Sequence, residues 1–179
     1  GHKVNPRAFR LNTTATWNSK WFVSAKSFPK MIREDFAIRK FITAQLPDAG
    51  IANIEIERTN QEIQVTVHSS KPGIVIGRGG TGIEEMIKKL KTMVLGDKTA
   101  HLKMNVKEVE NPKLSATLVA QGLAGDIQRR MPFRRACKRT LESVVKAGAK
   151  GVQIIIAGRL DGGEIARSEK FLNGKVPLH

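Results

Sequence analysis

A glycine-rich segment contains the first residues whose types and spacing suggest chemistry. Residues 77 to 82 read Gly77-Arg78-Gly79-Gly80-Thr81-Gly82. Glycines let an anionic oxygen approach the backbone closely, and the start of a following helix presents unpaired N–H groups and a partial positive charge. The segment therefore predicts a phosphate-binding loop, in which Arg78 adds a cation or contacts a protein neighbour. A glycine turn with a purely structural role is the alternative.

A second set of side chains, which we call the basic cluster, places six cations within eleven residues: Arg129, Arg130, Arg134, Arg135, Lys138 and Arg139. Arg134 and Lys138, and likewise Arg135 and Arg139, are four residues apart within one predicted helix. Like charges at that spacing destabilise a helix by roughly 0.2–0.5 kcal/mol per pair. A helix face that repels itself indicates contact with phosphates, which basic side chains bind independently of base sequence. The alternative is a solvated face whose aliphatic stems cover apolar surface.

The charge of the whole chain favours a polyanionic partner. Its 179 residues hold 31 Lys and Arg against 16 Asp and Glu, which gives a net charge of +15 and a pI of about 10.4. The excess of positive charge is six in residues 1–30, one in 31–110 and eight in 111–179. Because both ends are basic, the sequence indicates a nucleic acid or an anionic membrane surface as partner.

Other features of composition disfavour several function classes. No apolar run approaches the roughly 20 residues of a transmembrane helix, and no amphipathic segment sets large apolar residues opposite lysines, so no membrane partner is expected. Seven Phe, two Trp and no Tyr are few for a platform that stacks single strands. The only cysteine, Cys137, cannot form an internal disulfide, so a reducing, cytoplasmic setting is the default.

Residues for catalysis or metal binding are not grouped in this sequence. The four histidines lie far apart, without the spacing of a zinc site, and no carboxylates are paired for acid–base chemistry. Cys137 falls on the apolar face of a predicted helix and is interpreted as a small buried hydrophobe. We therefore expect no enzyme activity, no metal, no cofactor and no small-molecule substrate.

The elements that precede the glycine loop follow from hydrophobic periodicity. Residues 1–28 predict an irregular basic arm, whose Lys3, Arg7 and Arg10 we expect to contact the polyanionic partner. A helix over 31–46 follows, with an apolar stripe and two acids in its first turn: Ile32, Phe36, Phe41 and Leu46, with Glu34 and Asp35. Strict alternation predicts strands over 54–57 and 63–68 that pair as an antiparallel hairpin.

The elements after the loop are predicted in the same way. A helix over 81–95 begins with Thr81 and Glu84 as a capping box, and a third strand covers 102–107. The best domain boundary is at residues 110–112. Beyond it we predict helices over 113–130 and 133–147, strands over 152–156 and 164–170, and turns at 161–163 and 173–174. The apolar faces of the two helices are Ala116, Val119, Ala120, Leu123 and Ile127 in the first, and Phe133, Cys137, Leu141, Val144 and Val145 in the second.

The glycine loop fits two nucleotide-binding patterns. Gly77, Gly79 and Gly82 match the G-x-G-x-x-G fingerprint of dinucleotide-binding folds. The stretch Val75-Ile76-Gly77-x-x-Gly80-x-x-Ile83 instead matches the G-x-x-G loop of a KH domain, which clamps a short nucleotide stretch. The flanks favour the KH pattern, since a helix, two strands and a short helical turn precede the loop and a helix and a strand follow it.

Residues 31–109 accordingly resemble a type II KH domain, with the order α-β-β-α-α-β. Further matches run over essentially the whole chain: Gly1-His2-Lys3-Val4-Asn5-Pro6, Pro72-Gly73-Ile74-Val75-Ile76-Gly77, Met131-Pro132-Phe133-Arg134-Arg135-Ala136-Cys137-Lys138-Arg139, Gly158-Arg159-Leu160 and Glu164-Ile165-Ala166-Arg167. Together they resemble the bacterial-type family of small-subunit ribosomal protein S three. That family usually continues beyond Val176-Pro177-Leu178-His179, so we expect the last sheet to be incomplete.

The resemblance implies an α+β fold and a function. The fold is a basic arm (1–28), a type II KH domain (29–110) and a C-terminal α+β domain with two helices packed on a small sheet (111–179). The function is that of a structural constituent of the small ribosomal subunit in the cytoplasm, bound to rRNA of the subunit head and to neighbouring ribosomal proteins. Arg134, Arg135 and Lys138 would line the mRNA entry path and assist mRNA unwinding. In the arm, we expect Lys3, Arg7 and Arg10 to contact ribosomal RNA. A free KH-domain regulator that binds single-stranded RNA remains the alternative.

Overall fold

The computed structural model describes residues 4–59, 62–92 and 101–176. These residues divide into a first unit, 6–110, and a second unit, 111–176 together with 4–5. The helices and strands of the first unit are α1 (Pro6–Phe9), β1 (Ser19–Lys20), α2 (Phe28–Gln45), β2 (Ile51–Arg58), β3 (Glu62–Ser69), α3 (Pro72–Ile76), α4 (Thr81–Leu90) and β4 (His101–Glu108). The order α2-β2-β3-α3-α4-β4 confirms the predicted type II KH arrangement.

A four-stranded sheet in the order β1-β2-β3-β4 forms the centre of the first unit. Strands β2 and β3 are antiparallel, with Ile56 opposite Val65, and so confirm the predicted hairpin. Strand β4 runs parallel to β3 and places Met104 beside Val65. The alternating apolar residues of these strands pack with α2, α3 and α4, and the fully buried members of this core include Ile38, Ile42, Ile56, Val65, Val67, Val75 and Leu90.

Helix α2 differs from its prediction in both start and orientation. It begins at Phe28, so Glu34 and Asp35 lie in its second turn and not in its first. Both carboxylates are buried and pair with Arg58 of β2, at 2.7 and 2.6 Å. This pairing turns Ile38 and Ile42 toward the core. The predicted stripe is therefore wrong in its first half, where Ile32 and Phe36 are 46% and 67% exposed, and right in its second, where Phe41 and Leu46 pack against the core.

The N-terminal arm is partly ordered against the first unit. Strand β1 pairs in parallel with β2, with Ser19 beside Ile56. Asp35 Oδ2 accepts hydrogen bonds from Ser19 Oγ and Trp21 Nε1, each at 2.8 Å. Arg39 donates to Ser19 Oγ at 2.7 Å and to the Ile54 carbonyl at 3.0 Å, and burial lowers the pKa of its guanidinium. The arm therefore continues the sheet, whereas the predicted bounds of arm and domains stay a prediction.

The second unit contains α5 (Ala116–Gln128), α6 (Phe133–Lys146), β5 (Gly151–Gly158) and β6 (Arg167–Gly174), with β5 and β6 antiparallel. Its core is built from Leu123, Ala136 and Cys137, packed with Met131, Ile154, Ile156 and Phe171. Within the predicted apolar face of α6, four residues are buried as expected: Phe133, Cys137, Leu141 and Val144. This unit agrees with the predicted helices packed on a small sheet.

Two details of the second unit correct the sequence prediction. The strand predicted over 164–170 begins later, at Arg167, because a 3-10 turn over Leu160–Gly162 and the bond from Arg159 Nε to the Gly163 carbonyl extend the preceding loop. The turn predicted at 173–174 is wrong, because Asn173 and Gly174 pair with β5 as part of β6. On the predicted apolar face of α5, only Leu123 is buried. The rest of that face borders an open apolar groove of about 710 Å³ between α5 and β5.

Candidate nucleic-acid interface

The glycine loop connects two helices with a backbone that favours glycine. Gly77, Gly79 and Gly80 have φ values of +73°, +62° and +85°, which L side chains rarely adopt. A Cβ on Gly77 would lie 2.9 Å from the Gly82 nitrogen, and one on Gly82 would lie 3.1 Å from the Ile76 carbonyl oxygen. These two glycines therefore let the end of α3 pack against the start of α4.

The outer part of the loop is open to a ligand. Among the described residues, no atom lies within 4 Å of a Cβ built on Gly79 or Gly80. No side chain caps the start of α4, and the predicted capping box is wrong, because Thr81 Oγ1 donates to the Arg78 carbonyl at 2.9 Å. The N–H of Thr81, the first residue of α4, donates to the Arg78 carbonyl, so an anion would have to bind the later N–H groups of the first turn, beside the exposed residue Arg78.

The element before the loop decides between its two interpretations. A dinucleotide fingerprint requires a strand that leads into the glycines. Residues Pro72–Ile76 instead form helix α3, whose Gly73 carbonyl accepts a hydrogen bond from the Gly77 N–H at 3.0 Å. The dinucleotide alternative is therefore wrong, and the helix-loop-helix geometry is that of the KH pattern.

The basic cluster lies at the junction of α5 and α6 and is exposed throughout. Arg129 and Arg130 follow the last turn of α5, where cations complement the helix dipole. Arg134 and Arg135 lie in the first turn of α6, where cations oppose the dipole, and that turn contains no acid. Phe133 and Cys137 anchor the opposite side of α6 in the core.

Arg134 differs from its neighbours in having an acidic partner. Its Nη2 lies 3.0 Å from Glu169 Oε1 on β6, and its guanidinium lies 5.6 Å from the ring centroid of Phe133. The hydrogen bond between Arg134 and Glu169 raises the pKa of Arg134 and lowers the pKa of Glu169. Sequence patterns do not predict a role for Glu169, because its partner is 35 positions away in sequence and only the fold brings the two residues together.

The cations of the N-terminal arm make contacts within the chain. Arg7 in α1 lies 3.5 Å from Asn53 Oδ1 of β2, and Arg10 donates to the Pro6 carbonyl at 2.9 Å. Both residues are exposed. Lys3 lies outside the described residues. RNA contact by these three residues stays a prediction.

Catalytic and metal chemistry have little support in the described part of the chain. Residues 4–59, 62–92 and 101–176 contain no group of three or more His, Cys, Asp or Glu side chains that could hold a metal ion. Cys137 is fully buried, and burial raises the pKa of its thiol, which disfavours the reactive thiolate. Nor does any helix in these ranges have the length and hydropathy to cross a membrane.

Comparison with known proteins assigns the family. Residues 37–114 match the family model for the KH domain, and residues 123–179 match that for ribosomal protein S3, C-terminal domain. A small ribosomal subunit protein uS3 from Desulforudis audaxviator is 44% identical over all 179 residues, which cover 80% of that relative. The chain belongs to the uS3 family. The uS3 proteins of Ruegeria pomeroyi and Laribacter hongkongensis are 44% and 40% identical, again over the whole chain and over 74% and 75% of their lengths.

Membership of the uS3 family confirms several sequence predictions. It confirms the resemblance, the α+β fold with a KH domain, and the absence of enzymatic function, since uS3 proteins are structural components of the ribosome. The KH match includes the whole glycine loop, and the C-terminal match includes the basic cluster and Glu169. The expected location is confirmed as the ribosome, which is cytoplasmic in bacteria.

Proposed function

We propose that this chain is a structural constituent of the head of the small ribosomal subunit, where it binds rRNA and contacts neighbouring ribosomal proteins. We further propose that its basic cluster lines the path by which mRNA enters and helps to handle and unwind structured message. The uS3 relatives support the ribosomal part of this proposal. The rRNA head location and the mRNA path are our own assignments.

The exposed basic face of α6 is the observation that carries the mRNA part of the proposal. Arg135, Lys138 and Arg139 are exposed within two turns and have no acidic partner within 4.0 Å among the described residues. Like charges at this spacing repel, and cations in a first turn oppose the helix dipole. A bound phosphate would relieve both effects, and its contact does not depend on base sequence, so RNA could slide along the face.

The backbone at Arg130 supports the same assignment. Its φ is +61°, although the residue that follows a helix in this conformation is usually glycine. A left-handed backbone is unfavourable by about 1–2 kcal/mol for a residue with a Cβ. Keeping arginine at a position that favours glycine is consistent with a role for its side chain in binding.

The glycine loop provides a second RNA contact in this proposal. Its two outer glycines leave the backbone open, and α4 starts beside them without a side-chain cap. A phosphate could accept hydrogen bonds from N–H groups of the first turn of α4 beyond Thr81 and a charge-assisted one from Arg78. The same geometry would suit a KH regulator that grips single-stranded RNA, so the RNA preference of the protein decides between the two functions.

Removal of two cations tests the assignment of α6. We expect the double variant Arg134→Ala/Arg135→Ala to keep its fold and to bind single-stranded RNA more weakly. Its plot of log K against log salt should be shallower by up to about 1.4, because each lost phosphate contact reduces the slope by roughly 0.7. Fluorescence anisotropy across a KCl series measures both quantities.

A matched control separates this local effect from total charge. Lys146→Ala/Lys150→Ala removes two exposed cations at and beyond the other end of α6. It should leave the slope near that of the unmodified protein. An unchanged slope in the Arg134→Ala/Arg135→Ala variant would show that this face is not the contact.

A further inference from the structure

The carboxylate of Glu169 lies beside the basic cluster and has no place in the function proposed so far. Its two oxygens accept hydrogen bonds from the Arg134 guanidinium: Oε1 from Nη2 at 3.0 Å and Oε2 from Nε at 3.4 Å. Oε1 also lies 3.3 Å from Arg167 Nε on the same strand. One acid therefore neutralises two arginines on the side of α6 that faces β6.

The surroundings of Glu169 fix the carboxylate and leave the guanidinium accessible. The Glu169 side chain is 24% exposed, whereas those of Arg134 and Arg167 are 62% and 51% exposed. Phe171, two residues further along the same face of β6, packs edge-on against Phe133 with ring centroids 6.5 Å apart. The two phenylalanines hold β6 against the start of α6, so Glu169 stays next to Arg134.

We propose that Glu169 is an internal counter-ion that competes with RNA phosphate for Arg134 and so limits how tightly the basic cluster holds a strand. The inference rests on the proposed contact between α6 and RNA. Exposed ion pairs are weak and are screened by salt, so a phosphate can displace Glu169. When the phosphate leaves, Arg134 returns to the carboxylate, which shortens the lifetime of each contact with a moving strand.

Neutralising Glu169 tests the competition. The isosteric variant Glu169→Gln should bind single-stranded polyuridylate roughly two- to fivefold more tightly. In the unmodified protein RNA must first break the exposed ion pair, and a pair of this kind weakens binding by at most about that factor. Its salt slope should be steeper by less than about 0.7, because Arg134 already contacts phosphate for part of the time and loses its competitor in the variant. Thermal unfolding by circular dichroism verifies that the variant is folded.

Glu142 provides the matched control on the same helix. It is exposed on α6 and has no ion pair among the described residues, so Glu142→Gln makes the same change in net charge without releasing an arginine. We expect its affinity gain to be less than half that of Glu169→Gln. In an Arg134→Ala background, Glu169→Gln should have no larger effect than Glu142→Gln.

Three results would overturn the inference. Equal gains in the two glutamine variants would reduce the role of Glu169 to net charge. Weaker RNA binding by Glu169→Gln would make Glu169 a residue that positions Arg134 for RNA. A gain that persists in the Arg134→Ala background would place its effect on another cation.

The proposed function fails in a distinguishable way. If Arg135→Ala/Lys138→Ala leaves the salt slope unchanged and the Arg134 Nε–H NMR signal does not move on RNA addition, α6 does not bind RNA. If that variant flattens the slope while Glu169→Gln behaves like Glu142→Gln, only the inference about Glu169 fails.

Discussion

Gly79 occupies a position that combines an unusual backbone with open space. Its φ is +62°, and among the described residues no atom would contact a Cβ placed there. A side chain at this position would therefore project from the loop, toward the side from which a phosphate would approach. Asn and Asp adopt positive φ more readily than other residues with a Cβ. This permits a substitution that changes charge without changing the fold.

We expect Gly79→Asp to abolish the contact between the loop and a phosphate, because a carboxylate would repel it. Gly79→Asn has the same size and no charge, so it should retain much of the affinity. Binding of both variants to an rRNA fragment from the subunit head, measured by filter retention, gives the comparison. Affinity equal to that of the unmodified protein in both variants would assign the loop a structural role only.

Single residues differ in how well sequence predicts them. The glycines of the loop and the cations of the basic cluster could be predicted because neighbours in sequence carry the whole pattern. The partners of Arg134 and Arg58 could not, since Glu169 is 35 residues from Arg134 and Asp35 is 23 residues from Arg58. The one sequence signal that points to Glu169 is that acids are rare near it: residues 111–179 contain only five.

Helix α2 shows why the orientation of an element is harder to predict than its presence. Its sequence has apolar residues on two sides, one with Ile38 and Ile42 and the other with Ile32 and Phe36. Hydrophobic periodicity does not distinguish two such sides. The structure selects the first, because Glu34 and Asp35 pair with Arg58 on β2.

The ion-pair cluster of Arg58, Glu34 and Asp35, which orients α2, should be essential to the stability of the first unit. Arg58 is 6% exposed, so its removal would take from two buried carboxylates the guanidinium that pairs with both. We expect Arg58→Leu to lower the free energy of unfolding by about 3–5 kcal/mol. Both tryptophans, Trp17 and Trp21, lie in this unit, so urea unfolding followed by their fluorescence reports on it alone.

A cation on the surface of the same helix serves as the control for Arg58. Arg33 is exposed, and Arg33→Leu should change stability by no more than about 0.5 kcal/mol. Replacing both acids, with Glu34→Gln/Asp35→Asn, should reduce the loss caused by Arg58→Leu, because the two buried negative charges are then absent. Equal stability of Arg58→Leu and Arg33→Leu would contradict a structural role for the cluster.

At the scale of the whole molecule, charge and family resemblance give complementary information. The net charge of +15 indicates a polyanion but does not distinguish rRNA, mRNA or a regulatory RNA. Matches spread over the full chain predict the family, which the comparisons confirm. The course of β6 and the open side of α5 were not predictable, because a turn and a helix face depend on neighbours that are distant in sequence.

The preference of the full chain between two RNAs is the prediction that decides its function. We expect tighter binding to an rRNA fragment of the subunit head than to random single-stranded RNA of equal length, because several separate basic surfaces would engage a folded RNA together. For the head fragment, log K should fall against log salt with a slope of about −4 or steeper, which corresponds to about five or more phosphate contacts. Titration of each RNA by anisotropy over a salt series gives both values. Equal or tighter binding of the random strand would instead favour a free KH-domain regulator, because a G-x-x-G loop alone holds only a short single-stranded stretch.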